Sequence, residues 1–556
     1  MVGRPASDDE QVGRAAVNQR VRSHTTQALS SRRYRPPIAG ASLCWRLRYT
    51  RARMSGGDPI FEAKEGSMQT HAVNGALAIG IAQLLKLPFQ AASLLVLPRL
   101  LQPTDYGIYA MIDPLVSISA LILNFGIGQA IIQAPGLRRE QVSGLFWITI
   151  VASGVAAAIM LATSPLVAHF YNDDPRAGLV AAVSSVFLLF TGFTNIHEAL
   201  LNRQMKFGWV AMISAVGMAL GFIASLIAAF LGAGYWSLVL GFAVQQVVSL
   251  IGVWLGVGWI PREKPVFRGL SSFYKFGGPV MLADLATVTS READSILLGR
   301  YVGAAQLGFY DRGNKLAIVP IQRINTVLQQ LLMPILSRLN EVGERYRYAY
   351  LRIIRQLMLF ITPGVVAVGV TAPVLVPFLI GEQWAPAAPI FAWLTLAALH
   401  RPVSMTMDVL FISQARTRDY MIWSAFSTVT SLISFVVGLQ WGALGVAAAF
   451  GISDLVLRMP VLWWWVTRSG PIRLADLYLS AAPFAAGAGA AFVVVSALQR
   501  LPIHNDFIQL AASAILAYAV AWGSIALFKR GRATMADSIR LIRTELPRLM
   551  RRRRAA

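Results

Sequence analysis

Between about residue 72 and residue 528 the chain is one succession of apolar runs, each roughly 20–25 residues long and separated by short polar turns. A run of that length spans the hydrocarbon core as a helix, which satisfies its own backbone hydrogen bonds where no water is present. The runs fall at about 72–99, 106–132, 142–169, 176–201, 207–231, 235–259 and 271–299 in the first part of the chain. They continue at about 306–335, 350–379, 386–412, 418–440, 442–466, 475–498 and 506–528. The expectation is an all-α polytopic membrane protein of about fourteen transmembrane helices. Composition agrees: 56% of the 556 residues are hydrophobic and 14% charged, against about 25% charged in soluble domains.

A net charge of +23 would suit nucleic acid, but the positions of the basic residues exclude that partner. They gather at the two ends and in alternate connections: GLRREQ, NRQMKF, PREKPVFRG, ERYRYAYLRIIR, QARTRD and TRSGPIR. The intervening connections, FYNDDP, LGAGYW, IGEQWAP and LQWGAL, are short and poor in Lys and Arg. The positive-inside rule then places the basic set and both termini in the cytoplasm. Cys44 is the single cysteine and the six histidines are scattered, so no disulfide, metal site or cofactor is expected. Residues 1–70 read as a disordered basic extension, or as sequence upstream of a start at Met54 or Met68.

The chain repeats internally. Leu97, Arg99, Gly107 and Tyr109 match Leu298, Arg300, Gly308 and Tyr310, each 201 positions on. Glu198, Leu200 and Gln204 match Asp408, Leu410 and Gln414 at an offset of 210, as do Gly232, Ala233 and Gly241 with Gly442, Ala443 and Gly451. Six runs separate the copies, so both keep one orientation. Such parallel repeats place a site between the halves. The expected organisation is a six-helix lobe at 71–260, a second at 261–470, an extra transmembrane hairpin at 471–530 and a basic cytoplasmic tail at 531–556.

Ionisable residues lie well inside several runs, where each would cost roughly 2.5–3.5 kcal/mol facing lipid at the membrane centre. Helical spacing sorts the polar residues into stripes: Gln83, Lys86, Gln90 and Ser93; Thr191, Asn195, Glu198 and Asn202; Asp284, Thr287, Arg291 and Ser295, with Asp294 one turn from Arg291; Asp311, Lys315, Gln322, Asn325 and Gln329; Arg401, Ser404 and Asp408. Five stripes over both halves imply a shared polar cleft. Lys86 and Arg291 are the candidate anion-binding cations, expected to face one another across it. Glu198 and Asp408, at equivalent positions, are expected to be buried carboxylates that exchange a coupling ion. Arg99 and Arg300, at the ends of runs, are expected to snorkel to the interface. No G-x-x-x-x-G-K-[ST] phosphate loop occurs, so ATP hydrolysis is not expected.

The run from Phe276 to Leu339 resembles the Wzx-type, colanic-acid-exporter-like polysaccharide flippases of the multidrug/oligosaccharidyl-lipid/polysaccharide exporter superfamily. Asp294, Gly299–Arg300, Leu307–Gly308 with Tyr310, and Pro334 with Ser337–Arg338 carry the resemblance, and so does LPRLLQPTDYG from Leu97 to Gly107. It implies alternating access by two six-helix lobes in the bacterial inner membrane. The implied substrate is a polyprenyl-diphosphate-linked oligosaccharide repeat unit bound for lipopolysaccharide, capsule or exopolysaccharide. Lys86, Arg291 and Lys315 would then meet the diphosphate, and Gln83, Gln90, Asn195, Gln322 and Asn325 the sugars. Glu198, Asp408 and Asp294 would couple to a proton or sodium ion. Membrane lipids and other polysaccharide assembly proteins are the further partners. A peptidoglycan-precursor flippase and a drug/cation antiporter are the alternatives within this superfamily. A membrane glycosyl-transfer enzyme is the alternative outside it, and the short outer loops argue against that reading.

Overall fold

The computed structural model describes residues 68–540 and 543, except 125–127, 129–130, 132–136, 267–280, 282–284, 286–287, 290, 340–342 and 415. The extension at 1–67 and the last residues of the tail lie outside this set. Each apolar run is helical over its described residues, and no strand occurs among the described residues.

The first half contains α1 (Met68–Leu95), α2 (Pro103–Asn124), α3 (Arg139–Phe170), α4 (Pro175–Arg203), α5 (Phe207–Phe230) and α6 (Trp236–Val257). A seventh helix, α7, is continuous over 291–301. It is followed by α8 (Ala304–Leu339), α9 (Gly343–Val370), α10 (Ala387–Ser413) and α11 (Thr417–Gly438). α12 begins at Gly442, passes through a π-helical turn at Asp454–Arg458 and ends at Thr467. α13 (Leu474–Leu498), α14 (Asp506–Ala526) and a short α15 (Lys529–Arg540) close the chain. Ten spans among the described residues are long and apolar enough to cross a membrane; α8 and α10 are long enough but are not among them. Those two helices carry two of the five polar stripes.

Local chemistry sets the boundaries. Pro175 opens α4, and the Asp174 carboxylate accepts from Arg176 N at 3.0 Å. The Arg176 guanidinium also donates to that carboxylate and holds it below the usual range. Asn505 caps α14 by accepting from Ile508 N at 3.1 Å. At α13 the Asp476 carboxylate reaches back to Arg473 N at 3.0 Å. Gly258 ends α6 in the left-handed region, φ 66°.

The helix contacts repeat after six helices. α2 packs on α4, α3 on α4, α4 on α6 and α5 on α6; α8 packs on α10, α9 on α10, α10 on α12 and α11 on α12. This is the parallel two-lobe repeat, each lobe gathered around its fourth helix. The segment joining the lobes stays with the first one: Ser143 Oγ donates to Glu263 O at 2.8 Å, and Val266 N donates to Glu140 O at 3.1 Å. The α13–α14 hairpin docks on α9, where Trp522 Nε1 donates to Leu359 O at 3.0 Å and Tyr518 to Phe360 O at 2.8 Å. α15 packs against α9, α13 and α14, so the start of the basic tail is an ordered part of the second half.

Candidate functional site between the lobes

The lobes touch directly where α2 crosses α8, and the contact is reciprocal. A Cβ on Gly107 would lie 1.7 Å from Ala304 O, and one on Gly308 would lie 1.9 Å from Pro103 O. Gly107 and Gly308 are repeat equivalents, and so are Pro103 and Ala304 at the same offset of 201. Each lobe therefore presents the same two positions to the other. Only glycine permits backbones to approach so closely.

The two arginines expected at the interface with water reach across this seam. Arg99 donates from Nε to Leu379 O at 3.1 Å and from Nη2 to Phe378 O at 2.6 Å. Arg300 donates to the Asn172 side chain, and Asn172 Nδ2 donates back to Arg300 O at 3.0 Å. Each guanidinium thus reaches the segment that follows the third helix of the opposite lobe. The Phe378 and Leu379 carbonyls are among those left without an intrahelical partner at the end of the 372–380 helix. Trp384 Nε1 and Gln383 Nε2 add bonds to Pro98 O at 2.8 and 2.6 Å. All of these contacts lie at the end of the bundle that carries the short, Lys- and Arg-poor loops.

Below the seam, on the same two helices and α7, stands a cluster of six charges. On α8, Asp311 accepts from Arg312 Nη2 at 2.6 Å and from Lys315 Nζ at 2.9 Å. The Arg312 guanidinium lies 4.1 Å from the ring centroid of Tyr106 on α2. Asp113 of α2 has Lys315, Asp311, Arg312 and Arg291 as its charged neighbours. Arg291 Nε is 3.6 Å from its own neighbour Glu292. Three acids balance three bases, but the bases differ in freedom. The side chain of Arg312 is 8% exposed, that of Lys315 37% and that of Arg291 67%. Arg312 is locked in place; Lys315 and Arg291 can reach a ligand. Asp113 lies ten residues into α2 and Lys315 eleven into α8, about 15 Å from the helix starts at 1.5 Å per residue, which is half the depth of a bilayer core.

The other residues singled out from sequence are placed as follows. Lys86 is half-buried and donates to Ser214 of α5 at 2.6 Å, inside its own lobe. Arg291 stands instead with Asp113 and Glu292, so the cation that shares its carboxylate surroundings is Lys315. Gln83 and Gln322 are exposed; Gln90 and Asn195 are half-buried, and Asn195 Nδ2 has no hydrogen-bond partner. The Asn325 side chain lies outside the described residues, as does Asp284. Glu198 is exposed rather than buried. Asp408 is half-buried beside Tyr350 and Tyr420. Asp294 turns away from Arg291: Tyr310 donates to Oδ2 at 2.9 Å, and Ser295 N donates to Oδ1 at 2.7 Å. Sequence reasoning passed over Asp113, Glu292 and Arg312. Asp113 was detectable as a lone acid inside the second apolar run. Glu292 and Arg312 each sit next in sequence to a charge already assigned to a stripe. No metal-holding group of His, Cys, Asp and Glu occurs among the described residues.

Residues 96–389 match the family described as "Polysaccharide biosynthesis protein". The lipopolysaccharide biosynthesis protein WzxC of Escherichia coli (strain K12) is 21% identical over 393 residues, covering 70% of this chain and 80% of that protein. The succinoglycan biosynthesis transport protein ExoT of Rhizobium meliloti (strain 1021) is 23% identical over 423 residues, covering 75% and 85%. In fold, the chain is similar to the lipid II flippase MurJ in an inward closed conformation, with a TM-score of 0.65 and 13% identity over 82% of this chain and 99% of that one. It is also similar to an inward-facing MATE family transporter of the MOP superfamily, with a TM-score of 0.53 and 18% identity over 70% and 95%.

Proposed function

The chain belongs to the polysaccharide biosynthesis protein family, and from that premise we propose that it is a flippase for polyprenyl-diphosphate-linked oligosaccharide repeat units. The observation that carries this reading is the pair of accessible cations, Lys315 and Arg291, at mid-depth beside the inter-lobe seam. A diphosphate crossing a membrane needs charge-assisted donors that it can take up and release. Such bonds are roughly twice as strong as neutral ones. Both cations are neutralised by carboxylates when no anion is bound, so the phosphates exchange for Asp113, Glu292 and Asp311 instead of meeting bare charge. Gln83, Gln90, Asn195, Gln322 and Asn325 supply amides for the sugars, and Lys86 is a further cation on the first lobe.

The lobes rock about the α2–α8 seam, which in this conformation is closed toward the short loops. The protein resides in the bacterial inner membrane with both termini cytoplasmic, as the basic loops require. It carries out no glycosidic chemistry, and its partners are the lipid-linked sugar and the proteins that polymerise it. The test is reconstitution of the full chain in liposomes with isotopically labelled lipid-linked oligosaccharide. Transfer between leaflets should exceed that of protein-free liposomes, with no new glycosidic product. A rate equal to the protein-free control, or formation of a new linkage, overturns the reading.

A further inference from the structure

A second charged cluster, inside the C-terminal lobe, has no part in the substrate site. His400 is the central residue of α10, and Asp454 lies midway along α12. Each is about 20 Å from either helix end at 1.5 Å per residue, so the pair sits at mid-depth. His400 Nε2 is 3.3 Å from Asp454 Oδ2. Arg458 Nε is 3.0 Å from Asp454 Oδ1, a charge contact without hydrogen-bond alignment. The Arg458 guanidinium also donates to Ser431 Oγ of α11 and to Phe450 O, and lies 4.3 Å from the Phe450 ring centroid. His400 and Arg458 are each 4% exposed.

The fold does not require these charges. At the repeat offset of 210 the N-terminal lobe has Phe190, Val244 and Val248 where the C-terminal lobe has His400, Asp454 and Arg458. It nevertheless builds the same contacts between its fourth and sixth helices. α6 is a regular α-helix, whereas α12 widens into the π-helical turn at Asp454–Arg458. Buried ion pairs add little stability over well-packed apolar residues. Ionisable residues at mid-membrane and π-turns both concentrate at functional sites. Among the described residues no group of three or more His, Cys, Asp and Glu could hold a metal ion, whereas a histidine facing a carboxylate can bind a proton.

We propose that His400, held against Asp454 and Arg458, is a proton-binding site that couples protonation to the conformation of the C-terminal lobe. In this conformation Nε2 faces the Asp454 carboxylate, and Nδ1 has no partner. A proton taken from water onto Nδ1 gives the imidazolium, whose new N–H finds no acceptor here. Asp454 favours that charge, and two neighbouring cations oppose it. Arg401 adjoins it on α10, Arg458 faces it from α12, and Tyr310 of α8 stands nearby with its hydroxyl committed to Asp294 of α7. α9 brings Tyr350 onto Thr406, farther along α10. The 372–380 helix, which also packs on α10, carries no ionisable side chain. The imidazolium therefore prefers a rearranged lobe in which Nδ1 meets water or an oxygen. Ser404 Oγ, one turn along α10, is equally without a partner. This difference in proton affinity between two conformations is what allows a proton to shift their populations. On the flippase reading, it would let a proton gradient drive the lobes.

The experiment uses the full chain in liposomes, with Cys44 replaced by Ser and spin labels on cysteines at Arg139 and Arg345, one exposed position in each lobe. Inter-label distances are measured at pH 5.5 and pH 8.5, values that bracket the range of histidine titration. The wild-type ratio of the two distance populations is expected to change about tenfold, the effect of a one-unit difference in proton affinity. His400→Gln should remove the change. A triple variant, His400→Phe with Asp454→Val and Arg458→Val, installs the N-terminal lobe's own residues and should fold and ignore pH. Wild-type distances that are the same at both pH values overturn the proposal, as does a pH response that survives in either folded variant. Flipping is assayed in the same liposomes. Its absence alongside pH-dependent distances removes the flippase reading and leaves the proton site; flipping alongside pH-independent distances does the reverse.

Discussion

Arg312 and Lys315 share one carboxylate, Asp311, yet differ in what they can do, because one is buried under Tyr106 and the other is half-open. Arg312→Ala should destabilise the protein by about 3 kcal/mol, the low end for a broken buried pair, since Lys315 still neutralises Asp311. Thermal unfolding in detergent measures this, and a loss no larger than that of the exposed Arg176→Ala would refute it. Lys315→Ala and Arg291→Ala should instead leave stability nearly unchanged. Each should weaken binding of lipid-linked oligosaccharide by about 1.5–3 kcal/mol, the range for a hydrogen bond to a charged group, and Lys315→Arg should retain part of it. Lys86→Ala, which removes a donor to Ser214, should cost less than either. Equal affinity in all three alanine variants and wild type would show that the cations are structural. The stripes on α7 and α8 were readable from spacing alone. That Arg291 is open while Asp294 is sealed by Tyr310 was not, because a helical wheel assigns a face but not what covers it.

At the scale of elements, the repeated glycines do different work from the repeated arginines. Gly107→Ala or Gly308→Ala forces α2 and α8 apart by about 1 Å, and the strain falls on the closed end of the bundle. Either substitution should favour the conformation open toward the short loops. A cysteine at Gln383, which bonds to Pro98 O and Leu101 O across the seam, should then react faster with a membrane-impermeant maleimide. Arg99→Ala should act in the same direction by freeing the carbonyls of Phe378 and Leu379. Unchanged labelling rates in all three variants would show that the seam is not a gate. Reading Arg99 and Arg300 as snorkelling followed from their place at the ends of runs. Their partners lie about 280 and 128 positions away, and no local pattern encodes them.

For the whole molecule, the alternation of basic and charge-poor loops predicts orientation. Reporter fusions at Asp173, Glu382 and His504 should be periplasmic, and fusions at Arg139 and Arg345 cytoplasmic. Two or more fusions on the wrong side would break the two-lobe topology. The α13–α14 hairpin docks on α9 through Tyr518 and Trp522, away from the α2–α8 seam. It is expected to move with the second lobe as one body.

Membrane-length runs and the two repeat offsets determined, from sequence alone, the helices and the two-lobe plan, and loop charge sets the orientation expected of them. Each of these follows from a one-dimensional constraint: bilayer thickness, charge asymmetry or duplication. Tertiary structure alone decided which polar residues meet. It set Gly107 against Ala304, turned Lys86 onto Ser214, opened Arg291 and Lys315, and brought His400 to Asp454 from a helix two spans away. Helices in lipid gain little from hiding one apolar face over another. Their rotation is settled by close packing and by which charges find partners, and those partners lie far apart in the chain.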